Sequence, residues 1–376
     1  MRIPQEAELL EGIREWVEIE TPTGHAPGLN RLMDLAGAQY GAIGANVRRI
    51  PGRDGQGDHL SIELPFTGGD RVSMPGILVL CHLDTVHRVG SLERMPFRVD
   101  GDCAYGPGIC DMKGGAYIAM RALGSLTEAG RQTQLPIRVL LTSDEETGSD
   151  TSRDLIEEEG ARAAYVLVTE PARSGGKIVT GRRGLGRYTL TAHGRAAHSG
   201  TNHAIGRSAI REMARQILAI EELTDYDRGV TLNVGQVRGG TTDNTVPEYC
   251  VAGVDLRVDN MGVYEETDAA LRALRPHDPD VTLTLEGGIN RPPYRKGPQI
   301  QGLFDHAKGL AAEDGWALKD LHTGGGSDAS FVAAKVATLD GLGVDGAAAH
   351  TDDEHLYVSS LVPRMTLLRR LFETLS

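Results

Sequence analysis

The chain has 376 residues, which corresponds to roughly two to three domains at about 150 residues each. Lys and Arg number 39 against 52 Asp and Glu, so the formal charge is −13, which argues against binding to nucleic acid phosphates. Hydrophobic residues make up 40% of the chain and no apolar run reaches the roughly 18 residues of a membrane helix, so we expect a soluble globular protein. The start of the chain lacks a signal-peptide pattern, and the four cysteines form no C-x-x-C pair, which favours the reducing cytoplasm.

The first half of the chain alternates predicted strands and helices. Apolar residues at helical spacing after Pro4 predict an opening helix. Strands are then predicted at Gly76–Cys81, Ile137–Thr142 and Ala163–Thr169, and helices at Gly114–Ala129 and Thr151–Gly160. Because the strand runs are continuously apolar, they are typical of a mostly parallel sheet with helices on both faces.

The pattern changes near Gly184, where alternating apolar and polar residues indicate antiparallel strands. The predicted strands are 185–192, 231–237, 251–258 and 281–285, and the predicted helices are 205–223 and 264–274. Their β-α-β-β-α-β order is that of a ferredoxin-like α+β domain. Further helices are predicted at Ile300–Ala312, Ala329–Ala334 and Ser359–Leu375. We therefore predict an α/β protein in which residues 183–291 form a domain inserted into a larger one, residues 1–182 and 292–376.

Polar residues follow the three predicted parallel strands, at the point where each strand ends. His82 follows the first strand, Glu145 and Glu146 the second, and Glu170 the third. Because ligands collect outside the carboxyl ends of strands in open α/β sheets, these residues are expected to share one crevice. Asp111, in the glycine-rich turn GPGICDMKGG, is a fifth candidate, since its glycines allow the backbone to fold close to a bound group.

The charge of this cluster predicts bound metal ions. Several carboxylates in one low-dielectric crevice repel each other unless a cation is present. Asp111, Glu146 and Glu170 bring three negative charges and a bridging hydroxide a fourth, which two divalent ions balance. Imidazole and carboxylate ligands suit zinc, with manganese or cobalt as possible substitutes. His350 is the best candidate for a second imidazole.

The motifs of the chain resemble a known dinuclear zinc family. They are HLDTV (82–86), GICDMKGG (108–115), DEETG (144–148), TEP (169–171), GRAAHSG (194–200), GGGSDA (324–329) and His350. In this order they are similar to the acetylornithine deacetylase, succinyl-diaminopimelate desuccinylase and glutamate carboxypeptidase superfamily, metallopeptidase clan MH. The resemblance covers most of the chain and implies a zinc-exopeptidase-like catalytic domain with an inserted lid and dimerisation domain.

The resemblance also implies which residues bind metal. His82 and Glu170 would hold one zinc, Glu146 and His350 the other, and Asp111 would bridge the two.

Further residues would support the reaction. Glu145 would be the general base, and Asp84 would accept the second ring N–H of His82. The family has a cis peptide bond after the bridging aspartate, here Asp111–Met112.

Four residues outside the metal cluster receive roles from the resemblance. His198 of the inserted domain would reach the active site of the neighbouring subunit in a homodimer and stabilise the oxyanion. Arg257, with Asn244, would bind a substrate carboxylate, and Gly325 is a third substrate-binding candidate. The chain departs from glutamate carboxypeptidase at His322, where that enzyme carries an arginine associated with the substrate carboxylate. A preference for C-terminal glutamate therefore does not follow, because histidine is a weaker, pH-dependent anion partner.

Our main hypothesis is hydrolysis of an amide bond in a small carboxylate-bearing substrate, an N-acyl amino acid or a dipeptide. A metal-bridging hydroxide would attack the carbonyl carbon, and Glu145 would move the proton. One alternative is a serine hydrolase, because Ser327 lies in a G-x-S-x-A pattern followed by Asp345 and His350. Another is a catalytically silent binding protein on the same fold.

Overall fold

The structure is a computed structural model that describes residues 4–68 and 74–376. The helices are α1 (Glu6–Val17), α2 (Ala26–Ala42), α3 (Ser91–Arg94), α4 (Gly114–Glu128), α5 (Arg153–Ala161), α6 (Ala209–Glu221), α7 (Met261–Arg272), α8 (Pro298–Glu313) and α9 (Leu361–Thr374). The strands are β1 (Asn46–Ile50), β2 (His59–Glu63), β3 (Gly76–His82), β4 (Arg98–Asp100), β5 (Cys103–Tyr105), β6 (Ile137–Thr142), β7 (Ala163–Val168), β8 (Ile178–Arg182), β9 (Gly184–His193), β10 (Ala197–His198), β11 (Val230–Gly239), β12 (Thr245–Val246), β13 (Tyr249–Val258), β14 (Thr282–Arg291), β15 (Asp320–Thr323), β16 (Ala337–Leu339), β17 (Gly346–Ala347) and β18 (His355–Tyr357). In the part of the chain that is described, no helix has the length and apolar character needed to cross a membrane.

The described residues form two compact units. The first unit comprises Met1–Gly181, Arg295–His322 and Ser327–Ser376, and the second comprises Arg182–Tyr294 and Thr323–Gly326.

The first unit is built on a mixed six-stranded sheet. Its strand order is β1-β2-β6-β3-β7-β16, in which β6, β3, β7 and β16 run parallel and β1 and β2 run antiparallel at one edge. Every residue of β3 and β6 is buried, as their continuous apolar runs predict. Because β3, β6 and β7 are parallel, their carboxyl ends lie at the same edge of the sheet.

The second unit is a four-stranded antiparallel sheet covered by α6 and α7. Its strand order is β11-β13-β9-β14, and the chain order β9-α6-β11-β13-α7-β14 matches the predicted β-α-β-β-α-β pattern. Alternate residues of β13 are buried, because only one face of the sheet meets the helices.

The two ends of the Arg182–Tyr294 segment meet within this second unit. Arg182 and Tyr294 exchange both backbone hydrogen bonds, at 2.9 and 3.0 Å. The buried Arg182 guanidinium donates through Nη1 to the carbonyl oxygens of Gly325 and Gly326, at 3.0 and 2.7 Å. Arg182 therefore connects the two ends of the long segment of this unit to its short segment, Thr323–Gly326.

The predicted helix Ala329–Ala334 is wrong. A single 3-10 turn, Asp328–Phe331, occupies this place and is followed by turn residues before β16. The Ser327 hydroxyl caps the turn by accepting the Ala329 N–H at 3.1 Å. Six residues gain too few internal hydrogen bonds to hold a helix, so contacts with the rest of the fold decide the conformation.

Candidate metal centre

The ends of three parallel strands bring together the residues that the sequence singled out. His82 is the last residue of β3, Glu145 and Glu146 lie in a 3-10 turn just after β6, and Glu170 lies two residues after β7. His82 and Glu170 are buried. His82, Glu145 and Glu170 offer ligand atoms that all lie within 4.8 Å of one another.

Asp111 lies between two imidazoles. It belongs to the turn Ile109–Lys113 before α4, and its peptide bond to Met112 is cis, as predicted. Its Oδ1 lies 3.2 Å from Nε2 of His82, and its Oδ2 lies 3.5 Å from Nε2 of His350. The two oxygens of one carboxylate thus face two different histidines.

A second carboxylate accompanies each histidine. Glu170 Oε1 lies 3.7 Å from Nε2 of His82, and Glu146 Oε2 lies 3.3 Å from Nε2 of His350. The site therefore has two sides, each with one imidazole and one carboxylate of its own, and Asp111 is common to both.

The electrostatics of the site reflect an excess of buried carboxylates. Burial raises the pKa of Glu170 well above its ordinary value, and the negative charges of Asp111 and Glu145 raise it further. Burial also raises the pKa of Glu146 to about 8, against the effect of its hydrogen bond with His350. Hydrogen bonds with Asp111 and Glu146 raise the pKa of His350 to about 10. The protein alone thus supplies too little positive charge to keep these acids ionised.

Divalent metal ions fit this set of side chains. Among the described residues, the buried Oε1 of Glu146 has no hydrogen-bond partner, so it is available as a ligand atom. His82 Nδ1 lies 3.0 Å from the carbonyl oxygen of Asp84, which can only accept, so the ring proton lies on Nδ1 and Nε2 is left for a metal. Imidazole nitrogens and carboxylate oxygens are ligands for zinc, manganese and cobalt.

Asp84 connects His82 to the turn that carries the two glutamates. Its fully buried carboxylate accepts the N–H of Glu145 through Oδ1 and the N–H of Glu146 through Oδ2, both at 3.1 Å. Oδ2 also accepts the hydroxyl of Thr23 at 2.7 Å, whereas Oδ1 lies 3.5 Å from Nδ1 of His82. The nearest acceptor of the His82 ring N–H is thus the Asp84 backbone, and the Asp84 carboxylate mainly orders the glutamate turn.

The structure adds Glu354, which the sequence reasoning missed. Its buried carboxylate accepts the backbone N–H groups of Cys110 and Asp111, at 2.8 and 2.9 Å. The only sequence signal was its position in the acidic run after His350, which is more typical of a solvated surface.

The second unit holds His198 and Asn244. His198 is exposed in β10, and its Nδ1 accepts the N–H groups of Gly200 and Thr201 at 3.1 and 3.2 Å. The neutral ring therefore carries its proton on Nε2. Asn244 lies nearby, since its carbonyl oxygen accepts the N–H of Ser199 at 2.9 Å.

Arg257 and Gly325 lie at the glycine run Gly324–Gly326 of the second unit. Arg257, on β13, makes a bidentate ion pair with Asp255 at 2.8 and 2.9 Å and donates to the Gly324 carbonyl at 2.9 Å. The next carbonyl, that of Gly325, accepts from Arg182. His322, which stands where glutamate carboxypeptidase carries an arginine, is exposed in β15 of the first unit.

The serine hydrolase alternative is wrong. Ser327 is 0% exposed, and its hydroxyl accepts the backbone N–H of Ala329. His350 instead faces Asp111 and Glu146. Within the described chain no hydrogen bond joins Ser327, Asp345 and His350, so the triad does not form.

The fold and the site together define a metal-dependent hydrolase. The sequence pattern of peptidase family M20/M25/M40 matches residues 78–374, and the chain belongs to this family. It is 31% identical to carboxypeptidase G2 of Pseudomonas sp. (strain RS-16), over 96% of this chain and 88% of that protein. It is 29% identical to succinyl-diaminopimelate desuccinylase of Albidiferax ferrireducens, over 75% of this chain and 74% of that protein.

Two solved structures have the same fold. Aminopeptidase PepT from Bacillus cereus superposes with a TM-score of 0.80 at 22% identity and covers 99% of both chains. The M20 family metallo-carboxypeptidase Sso-CP2 from Sulfolobus solfataricus superposes with a TM-score of 0.76 at 15% identity, over 97% of this chain and 98% of that chain. The family resemblance, the α/β fold and a metal-dependent hydrolase that acts on C–N bonds are thereby confirmed.

Proposed function

We propose that this chain is a dinuclear zinc hydrolase that cleaves the amide bond of a small carboxylate-bearing substrate, an N-acyl amino acid or a dipeptide. The observation that carries the proposal is the position of Asp111, whose two oxygens face His82 on one side and His350 on the other. The similarity to a carboxypeptidase and to a desuccinylase supports this class of substrate.

The proposed ligands divide along the two sides of the site. His82 and Glu170 would hold one zinc ion, Glu146 and His350 the other, and Asp111 both. Manganese or cobalt ions could replace zinc at this set of three carboxylates and two imidazoles.

The side chain that moves protons is Glu145. When bound, the metal ions would lower the pKa of water and polarise the substrate carbonyl. Glu145, which lies beside His82 and Glu170, would take a proton from the attacking water onto its carboxylate. Water oxygen bonds to the carbonyl carbon, the C–N bond breaks, and Glu145 returns the proton to the leaving nitrogen. Asp84 would keep Glu145 in place by holding its backbone N–H.

His198 would supply the oxyanion contact in a homodimer. Its protonated Nε2 and its exposure suit it to donate to the carbonyl oxygen in the active site of the neighbouring subunit. The surface of the second unit supports a second copy as the partner, because Ile210 and Leu218 of α6 and Val237 of the edge strand β11 are exposed apolar residues.

The substrate carboxylate would bind at Arg257. A guanidinium has five N–H groups, and the contacts with Asp255 and Gly324 use three of them, which leaves donors for a carboxylate. Asn244 and Gly325 would add polar contacts to the substrate.

The four free cysteines support a cytoplasmic location, where thiols remain reduced.

Metal analysis and a substrate screen test this function. We expect about two zinc ions per chain and release of free amine from N-acyl amino acids or dipeptides by the zinc-loaded protein. Asp111→Asn is expected to lose metal and turnover together, whereas Glu212→Gln, which changes a buried carboxylate of the second unit, should retain both. One metal ion per chain, or full activity of Asp111→Asn, would contradict the proposal.

A further inference from the structure

The pairing of β18 with β5 in the first unit places Glu354 beside the turn that contains Asp111. Glu354 directly precedes β18, which pairs antiparallel with β5 so that His355 lies opposite Tyr105. The Glu354 carbonyl oxygen accepts the N–H of Gly106 at 3.4 Å, which extends this pairing by one step. A residue four positions after His350 is thus fixed beside the segment that leads to Asp111.

The Glu354 carboxylate then binds this turn through its backbone. Oε1 accepts the N–H groups of Cys110 and Asp111 at 2.8 and 2.9 Å. Oε2 accepts the N–H of Gly108 at 3.2 Å and contacts Nε2 of His87. The side chain is 1% exposed, so water cannot replace these contacts when the carboxylate is removed.

These contacts connect two of the proposed metal ligands. The Asp111 carboxylate is divided between two imidazoles only while its backbone keeps its present orientation, and Glu354 holds the Asp111 N–H. His350, in the same segment as Glu354, has a φ of +67°, which a residue with a side chain adopts only when its surroundings impose it. Glu354 therefore anchors the His350 segment to the Asp111 turn.

We propose that Glu354, assisted by His87, is a positioning residue of the metal centre that holds Asp111 and His350 in register for two metal ions. It acts through the backbone of the turn and touches neither metal nor substrate. The inference rests on the proposed function, in which Asp111 and His350 are ligands.

Metal binding by Glu354→Gln tests the inference. The variant keeps the size of the side chain, but its amide group replaces one of the two acceptor oxygens by an NH2 donor, which faces either the Gly108 N–H or the N–H groups of Cys110 and Asp111. We expect the dissociation constant for zinc, measured by competition with a chromophoric chelator, to rise about 10- to 100-fold. The visible absorption spectrum of the cobalt-loaded variant should also change, because it reports the geometry of the ligands.

Glu212→Gln is the matched control. Glu212 is a 2% exposed carboxylate of the second unit that accepts the backbone N–H groups of His277 and Asp278, at 2.9 and 3.2 Å. Its substitution removes a comparable buried acceptor, so a loss of stability is expected in both variants. Zinc affinity should stay within about twofold of wild type in this control.

His87→Gln is the second variant, because it leaves the three backbone contacts of Glu354 in place and is expected to fold. We expect about a threefold or larger loss of zinc affinity. If Glu354→Gln does not fold, the result of His87→Gln decides. Wild-type zinc affinity and cobalt spectrum in the folded variants, or an equal loss in Glu212→Gln, would overturn the inference.

Asp111→Asn separates this inference from the proposed function. If Asp111→Asn binds no zinc pair while both Glu354→Gln and His87→Gln bind zinc like wild type, only the positioning role fails. If Asp111→Asn still binds two zinc ions, the proposed metal centre itself is wrong.

Discussion

Gly343 packs against the backbone that carries Glu170, and its replacement by alanine gives a sharp test of the site. A Cβ at Gly343 would lie 2.2 Å from the carbonyl oxygen of Thr169 and 2.8 Å from that of Glu170. Because real Cβ contacts essentially never fall below 3.0 Å, the Thr169 oxygen would have to move by about 0.8 Å. Gly115 of α4 packs closely against the same carbonyl, because a Cβ added there would lie 2.1 Å from the Thr169 oxygen. The Thr169 carbonyl therefore has little space into which it can move.

We therefore expect Gly343→Ala to displace Glu170 without removing any ligand atom. Overpacking of this size costs about 1–3 kcal/mol of the free energy of unfolding. A misplacement near 1 Å costs about 100-fold in kcat/KM, or about 2.7 kcal/mol of transition-state stabilisation. The assays are amine release by the zinc-loaded variant, zinc content and thermal unfolding.

Gly309→Ala is the matched control for this substitution. Gly309 lies in α8, and an added Cβ there meets no atom within 4 Å. The alanine is expected to leave kcat/KM unchanged and to add about 0.4–1 kcal/mol of stability. A folded Gly343→Ala variant with full zinc content and kcat/KM within about threefold of wild type would refute the reasoning that the close packing of Gly343 fixes the position of Glu170.

Three other predictions address the chemistry of the site. Glu145→Gln should abolish turnover and retain most of the bound metal, measured by amine release and metal analysis, and a variant with a tenth of wild-type activity or more would contradict its role as general base. Removal of metal by phenanthroline should abolish activity and added zinc should restore it, whereas a metal-independent hydrolase would be unaffected. His198→Ala should lower kcat by about 100- to 1,000-fold with unchanged zinc content, while His203→Ala, another exposed histidine of the second unit, should match wild type; equal kcat in the two variants would exclude the oxyanion contact.

The parallel strands of the first unit could be predicted from sequence because they are buried on both faces. Ile137–Thr142 is β6 residue for residue, and Gly76–Cys81 is one residue shorter than β3. Full burial leaves an uninterrupted apolar run, and the first polar residue after it marks the edge of the sheet. The same reasoning placed His82, Glu146 and Glu170 at this edge of the sheet, each within four residues of a strand end, which is where the structure has them.

Other features depend on contacts that leave no local pattern. The predicted strand 281–285 ends six residues before β14 does, because Glu286, Gly287 and Gly288 interrupt the apolar alternation although their backbone still pairs with β9. Glu354 binds N–H groups more than 240 residues earlier in the chain, and any carboxylate could do so. The direction of its side chain follows from the β18–β5 register, which a single sequence does not specify.

The junction at Arg182 bears on protein engineering. Because residues 182 and 294 are direct backbone neighbours, an artificial turn of a few residues could close the chain in place of the intervening segment. Arg182 also binds the carbonyls of the downstream glycine run, so a transplanted segment brings a requirement for a compatible loop at 323–326. Chimeras among homologues should therefore exchange residues 182–294 and 323–326 together. The residue at position 182 and the loop 323–326 should come from the same homologue, because they bind each other.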